Sequence, residues 1–156
     1  MFINVDGQSE HAANMSHYNS AEVEVCLELL RALLRRGLTP AQLCVITFYR
    51  EQYRRLERAA DELGVELSTV DSVQGREKEV VLLLTTRTHV APESAEFLDE
   101  YRRMNVAISQ CRQGQFIFGH VRSLRRVPFW GRVISWASSL NAIVPATDLP
   151  RYFENE

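Results

Sequence analysis

Apolar runs too short for helices alternate along this chain with stretches spaced for amphipathic helices. Residues 1–6, Met-Phe-Ile-Asn-Val-Asp, read as a short strand that opens the fold mid-element, as a piece of a longer polypeptide would. Residues 7–18 are polar and irregular and are predicted as a loop. Asn19 then offers an N-cap, with Glu22 three residues on in a variant of the capping box. Val23, Cys26, Leu27, Leu30, Leu33 and Leu34 follow at helical spacing, with Glu24, Glu28, Arg31 and Arg35 opposite. Gly37 and Pro40 stop this helix. Residues 43–47 are the next strand. Tyr49, Tyr53, Leu56, Ala59, Ala60 and Leu63 mark a second amphipathic helix, ended by Gly64. Glu66-Leu67 reads as a strand end, residues 68–79 as a polar loop, and the apolar run 80–84 as a strand buried on both faces. A polar loop over 87–95, a helix from Glu96 to about Arg112 and a strand over 115–118 come next. Phe129, Val133, Trp136 and Leu140 then mark a last helix packed on the sheet, with both tryptophans expected in the core. Residues 1–144 are expected as one domain and 145–156 as a tail.

This alternation of β and α predicts a parallel sheet with right-handed crossovers and helices on both faces. Arg50 sits where a strand turns into a helix, the carboxyl edge at which α/β folds bind ligands. The other arginines of that helix, Arg54, Arg55 and Arg58, suit a solvent face. Composition changes this picture little: 156 residues, 46% hydrophobic and 24% charged, describe an ordinary globular domain. The net charge of -2 excludes a global basic footprint for nucleic acid, so any such surface is local. Arg122, Arg125 and Arg126 form one of several clusters read as solvated. Three cysteines without metal spacing imply a reducing compartment and no metal site. No signal peptide or membrane-length run is evident, so the cytoplasm or the nucleus is expected. His89 is isolated and reads as a surface residue.

The loop over residues 68–79, Ser-Thr-Val-Asp-Ser-Val-Gln-Gly-Arg-Glu-Lys-Glu, concentrates hydroxyls, an amide and alternating charges around Gly75. Gly75 can take φ > 0 and allow a phosphate or a backbone to come close. Loops on a rigid sheet commonly carry function. The segment Val70 to Glu79 resembles motif V of superfamily 1 helicases, in the branch of the nonsense-mediated-decay and Sen-type enzymes. Arg102-Arg103-Met104-Asn105-Val106-Ala107-Ile108-Ser109-Gln110-Cys111-Arg112 resembles their motif VI. Val45-Ile46-Thr47-Phe48-Tyr49-Arg50-Glu51-Gln52 resembles the upstream Thr-Pro-Tyr-x-x-Gln block, assigned to motif IV, with Phe48 in place of Pro. The resemblance covers roughly residues 2–120.

It implies a RecA-like P-loop NTPase fold, specifically the second of two lobes, with ATP and Mg2+ held chiefly by a first lobe in cis or in trans. It places Gly75, Arg76 and Glu77 toward the nucleotide. Thr47, Ser68, Thr69 and Gln74 lie toward single-stranded RNA or DNA, where hydroxyls suit phosphate contacts that read no sequence. The sequence departs from the family in two ways. It contains no Gly-x-x-x-x-Gly-Lys-Ser/Thr and so lacks its own phosphate loop. Gln110 also stands where the family has the arginine that meets the γ-phosphate. On a helix Arg112 would lie about 200° away, and Arg103 on the same face but about 10 Å along the axis. Arg103 and Arg50 are therefore the candidate replacements. Two readings follow: a helicase lobe completed by a partner lobe, or a catalytically inactive helicase-like module that binds nucleic acid or protein.

Overall fold

The computed structural model describes residues 1–72, 78–88 and 111–154. The chain runs through β1 (Phe2–Asn4), β2 (Glu10–His11), β3 (His17–Tyr18), α1 (Ser20–Arg35), β4 (Leu43–Thr47), α2 (Arg50–Leu63), β5 (Glu66–Thr69) and β6 (Lys78–Leu84). Then come β7 (Cys111–Gly119), α3 (Val121–Leu124), α4 (Pro128–Ser139), β8 (Ile143–Pro145) and α5 (Leu149–Glu154). Six strands form one sheet in the order β5-β4-β6-β7-β1-β8, with every neighbouring pair parallel. This is the parallel α/β arrangement that the pattern predicted, and it agrees with the RecA-like fold that the resemblance implied.

Each central strand feeds two cores, because side chains alternate across a sheet. Cys44, Ile46, Val81, Leu83 and Ile117 pack with Phe129, Trp130, Ile134 and Ala137 of α4. Val45, Leu82, Leu84 and Phe118 pack on the other face with Cys26, Leu29, Leu30 and Leu33 of α1 and Leu56 of α2. Burial on both faces explains why residues 80–84 read as a continuous apolar run. The helix ends follow their signals. Asn19 caps α1, its side chain accepting from the Glu22 N–H at 3.1 Å. Gly64 ends α2 with φ 72°, the left-handed backbone that glycine adopts without penalty.

Several expectations are corrected. The predicted loop over 7–18 contains the antiparallel β2–β3 hairpin, whose two-residue strands are too short to leave a periodic signal. Ser68 and Thr69 belong to β5, and Lys78 and Glu79 to β6, so the strands take both ends of the expected polar loop. The helix expected through Arg112 has given way to β7 by Cys111, so the rotation that set Arg112 apart does not apply. The rest of that helix, and His89, lie outside the described residues. Nor do both tryptophans enter the core: Trp130 is fully buried but Trp136 is 66% exposed. Trp136 lies at the border of the apolar half of α4, next to the side that carries the exposed Arg132, Ser135 and Ser139, so helical spacing counted it with the core stripe although it faces outward. Edge-on contacts of Trp130 with Phe48 and Phe129, at 5.8 and 5.3 Å, accompany the stripe that is buried. The expected tail from residue 145 supplies the end of edge strand β8 and the docked helix α5, with Leu149 buried. Pro145 fits there because a proline has no N–H to give to a ladder and is tolerated on an edge strand.

The two tryptophans should therefore differ in a denaturant titration. Trp130→Ala is expected to cost about 3–5 kcal/mol through the cavity it leaves. Trp136→Ala should stay within about 0.5 kcal/mol. Equal losses would mean that the wrong face of α4 has been assigned to the core.

Candidate functional site

The carboxyl edge of the sheet is where β4, β5, β6 and β7 end, and sequence-predicted site residues gather there. Thr47 is the last residue of β4 and lies in register with Thr69, the last of β5. Thr47 is fully buried, and its hydroxyl has no hydrogen-bond partner among the described residues. Alternation puts Thr47 and Thr69 on the α1/α2 face and Ser68 on the α4 face. Ser68 and Thr69 are half-buried. Thr69 is engaged with Ser72: its hydroxyl donates to Ser72 Oγ at 2.9 Å, and its N–H donates to the same oxygen at 2.9 Å. Arg50 opens α2 and is exposed. Gln74, Gly75, Arg76, Glu77, Arg103 and Gln110 lie outside the described residues.

The most heavily constrained point of the edge is one that sequence reasoning missed. Thr86, two residues past β6, has φ 72°, a left-handed backbone that strains a β-branched residue. The Arg87 N–H donates to the Thr85 carbonyl at 2.8 Å. An i→i+2 bond around a positive φ is the strained form of γ-turn. This corner is gripped on both sides. The Thr86 N–H donates to Glu22 Oε1 at 2.9 Å and Oε2 at 3.2 Å, and its carbonyl accepts from Asn19 Nδ2 at 3.2 Å. Asn19 is held in turn by Gln52, which accepts from its N–H at 2.9 Å and donates to its carbonyl at 3.2 Å. The capping box is thus completed by Gln52 of α2, while Glu22 turns to Thr86. Asn19, Glu22, Gln52 and Thr86 are all buried. Gly7 passes so close that a Cβ there would meet Asn19 Oδ1 at 2.7 Å and Ala21 Cβ at 2.5 Å.

Burial pushes the Glu22 carboxyl well above its ordinary 4.5, against the opposing hydrogen bonds of Thr86 and Gln52. Thr88, the next anchor, donates its N–H to Ser9 Oγ at 3.0 Å, and the Ser9 N–H returns to Thr88 Oγ1 at 2.9 Å. Ser123 Oγ donates to the Thr88 carbonyl. The only sequence signals for this cluster were Asn19 and Glu22 as a cap, and Gln52 as the last residue of a motif.

The β2–β3 hairpin covers the start of α2. Tyr49, its N-cap residue, supplies no side-chain cap; Ser16 Oγ accepts from the Glu51 N–H at 3.2 Å instead. The Arg55 guanidinium sits 3.5 Å from the centroid of the Tyr18 ring, a cation–π contact, and Tyr18 donates to Glu10 at 2.5 Å. His17 packs edge-on to Tyr49 at 5.0 Å. Burial, with help from Arg87 and His11, lowers its pKa to about 4.

Chemistry within the described part of the edge is limited to hydrogen bonding and charge. No group of His, Cys, Asp and Glu among the described residues could hold a metal ion. Burial raises both Cys26 and Cys44, the latter to about 12, so neither offers a thiolate. Two grooves lie elsewhere: about 340 Å³ between α1 and α5, and about 540 Å³ beside α2 and β5. No helix among the described residues is long and apolar enough to cross a membrane.

The six-stranded parallel α/β sheet, with its polar residues at the carboxyl edge, is consistent with a RecA-like domain. A family model described as an AAA domain matches residues 1–122, and the chain belongs to that family, the C-terminal lobe of superfamily 1 helicases of the Sen-type and nonsense-decay branch. It is similar to Helicase SEN1 of Saccharomyces cerevisiae, 30% identical over 89% of this chain and 7% of the relative. Regulator of nonsense transcripts 1 of Dictyostelium discoideum is 30% identical over 92% of this chain and 11% of the relative. The 5'-3' DNA helicase ZGRF1 of Mus musculus is 35% identical over 85% and 7%. The chain spans about a tenth of the length of these relatives.

Glu22→Ala should cost about 1–3 kcal/mol, because it leaves the buried Thr86 N–H unpaired. Glu22→Gln keeps an acceptor and should retain most of that. Amide hydrogen exchange at Thr86 checks the difference: fast exchange in Glu22→Ala and slow exchange in Glu22→Gln.

The pH dependence follows from two shifts of opposite sign. Glu22 has a folded pKa above its unfolded value, so the stability it contributes is present below about 4.5 and falls as pH rises toward the folded value. His17 has a folded pKa below its unfolded 6.5, so its contribution is present above 6.5 and falls as pH drops toward 4. Urea titrations across pH 4–7 should show Glu22→Gln gaining on the parent as pH rises. His17→Asn should gain on the parent as pH falls.

Proposed function

We propose that the chain serves as the second RecA-like lobe of an ATP-dependent RNA or DNA helicase, working in the cytoplasm or the nucleus. The observation that carries this reading is the family match over residues 1–122, within which Thr47, Ser68 and Thr69 fall at neighbouring strand ends. In this reading Thr47, Ser68, Thr69 and Gln74 meet the backbone of single-stranded RNA or DNA. Gly75, Arg76 and Glu77 face the nucleotide. The names of the relatives, ATP-dependent and 5'-3' DNA helicases among them, support ATP use and nucleic-acid binding by such a protein.

The chain alone does not fit Mg2+ and ATP. It has no phosphate loop, and its described residues contain no carboxylate cluster suited to the metal. A first lobe, in cis or in trans, is needed for the phosphates and the ion. This lobe's part is electrostatic and positional. Arginines at the cleft can stabilise charge that develops in phosphoryl transfer, an effect of several orders of magnitude in related chemistry. Gln110 at the arginine position favours a second reading, a catalytically inactive helicase-like module. A neutral amide can hydrogen-bond a phosphate but cannot neutralise its charge.

The isolated chain should show no ATPase activity above background, and single-stranded RNA should bind it weakly, without base preference and less tightly as salt rises. Joined to a competent first lobe, Gln110→Arg should raise turnover about a thousand-fold or more over the parent. If turnover barely changes while Arg50→Ala or Arg103→Ala abolishes it, one of those arginines is the working cation. If neither joining nor Gln110→Arg gives turnover, the inactive module is the better description.

A further inference from the structure

Past β6 the chain does not run on as a strand. Thr85 still bonds to β7, its N–H donating to the Phe118 carbonyl at 3.1 Å and its hydroxyl at 2.8 Å. Thr86 then turns to φ 72°, and the Arg87 N–H comes back to the Thr85 carbonyl. The reversal brings Arg87 beside Tyr49, two residues past the end of β4. Burial pushes the Tyr49 hydroxyl up to about 12, against the pull of the Arg87 charge. Burial and that same charge keep the His17 imidazole neutral at pH 7, with its ring 5.0 Å from that of Tyr49. Strand β4 lies between β5 and β6, Thr47 facing Thr69 on one side and Leu84 on the other. One half-buried guanidinium is therefore held at the same edge as the strand-end hydroxyls.

This placement is costly. Positive φ strains Thr86, where glycine would take the same backbone freely, as Gly64 does. Glu22 is buried to hold the corner, and the hydroxyls of Thr47 and Thr86 are buried without a partner among the described residues. Strain of this kind clusters at functional sites, and unpaired buried groups call for an explanation. Holding the hairpin does not account for it, because Ser9, Ser16 and Tyr18 already tie the hairpin to Thr88, Glu51 and Arg55. What the corner does fix is the point from which the Arg87 side chain starts. Tyr49 and His17 lie beside that side chain as neutral rings, so they add no negative charge to compete with an anion. The planar fork of an arginine matches phosphate oxygens and is less strongly hydrated than an ammonium.

We propose that Arg87 contacts a phosphate of single-stranded nucleic acid at this edge, in company with the strand-end hydroxyls of Ser68 and Thr69, and that Glu22 and Asn19 are positioning residues that aim it through Thr86. This rests on the reading of the chain as a helicase lobe that meets nucleic acid at its strand ends. It adds a charged contact to a set that otherwise holds hydroxyls and an amide. Arg87 lies in neither of the segments that resemble motifs V and VI.

Fluorescence anisotropy of a labelled oligouridine RNA, titrated with the 156-residue chain at several salt concentrations, tests it. Arg87→Gln should weaken binding about five-fold or more and make the salt dependence shallower by about one phosphate contact. Arg87→Lys keeps the charge and should restore the salt dependence. Glu22→Ala should weaken binding as much as Arg87→Gln, with no further loss in the double variant, and Glu22→Gln should bind as the parent does. If the parent binds RNA and Arg87→Gln matches it in affinity and salt dependence, this inference alone is overturned. A lower melting temperature with an unchanged salt slope in Arg87→Gln would overturn it too, marking Arg87 as packing only. A parent that binds no RNA would overturn it together with the nucleic-acid reading. ADP that displaces RNA from the parent but not from Arg87→Gln would give Arg87 to a nucleotide phosphate instead. Additive losses in the double variant would remove Glu22 and Asn19 from the aiming of Arg87.

Discussion

The carboxyl edge depends on one grip, that of Asn19 and Glu22 on the backbone of Thr86. A β-branched residue at positive φ costs on the order of 1–3 kcal/mol and persists only where its surroundings over-determine it. Here they do, in layers. Glu22 can reach the Thr86 N–H only if α1 begins at Asn19, and Asn19 is fixed by a side chain from α2. Two helices and the end of β6 therefore share one set of bonds, and none of the three can shift alone without leaving a buried polar group unpaired. Burying a carboxyl is itself unfavourable, and the raised pKa of Glu22 records that. Strain and burial are thus concentrated where the chain leaves the sheet for the residues that resemble motif VI. Ser9 and Ser123 fix the same exit two residues later, at Thr88.

The elements that were legible in the sequence are those whose ends carry their own chemistry. Strand β4 matched residues 43–47, and Gly64 closed α2, because a short apolar run and a left-handed glycine act locally. What was not legible depended on contacts distant in sequence. Asn19 and Glu22 read as a cap, and a cap they partly are. That Glu22 would turn away from its own helix to Thr86, 64 residues on, has no local signature. The hairpin failed to register because two residues make no period. Trp136 was misplaced because it stands at the border between the apolar and polar sides of α4, where helical spacing does not decide whether a side chain turns inward. For the site, composition and charge gave nothing. Thr47, Ser68 and Thr69 came from the resemblance alone, and Gln52 was read only as a letter of a motif.

The position of β1 bears on how the chain reaches this structure. It lies between β7 and β8, so Phe2, Ile3 and Asn4 pair with residues more than a hundred positions later on both sides. Contacts of such separation require large loops to close before they contribute, and folds rich in them form slowly. During synthesis β4, β5 and β6 can associate while the first strand still waits for both its neighbours. Until β7 and β8 leave the ribosome, Phe2 and Ile3 lack the two strands they pair with, and that apolar segment is exposed to chaperones or to other chains.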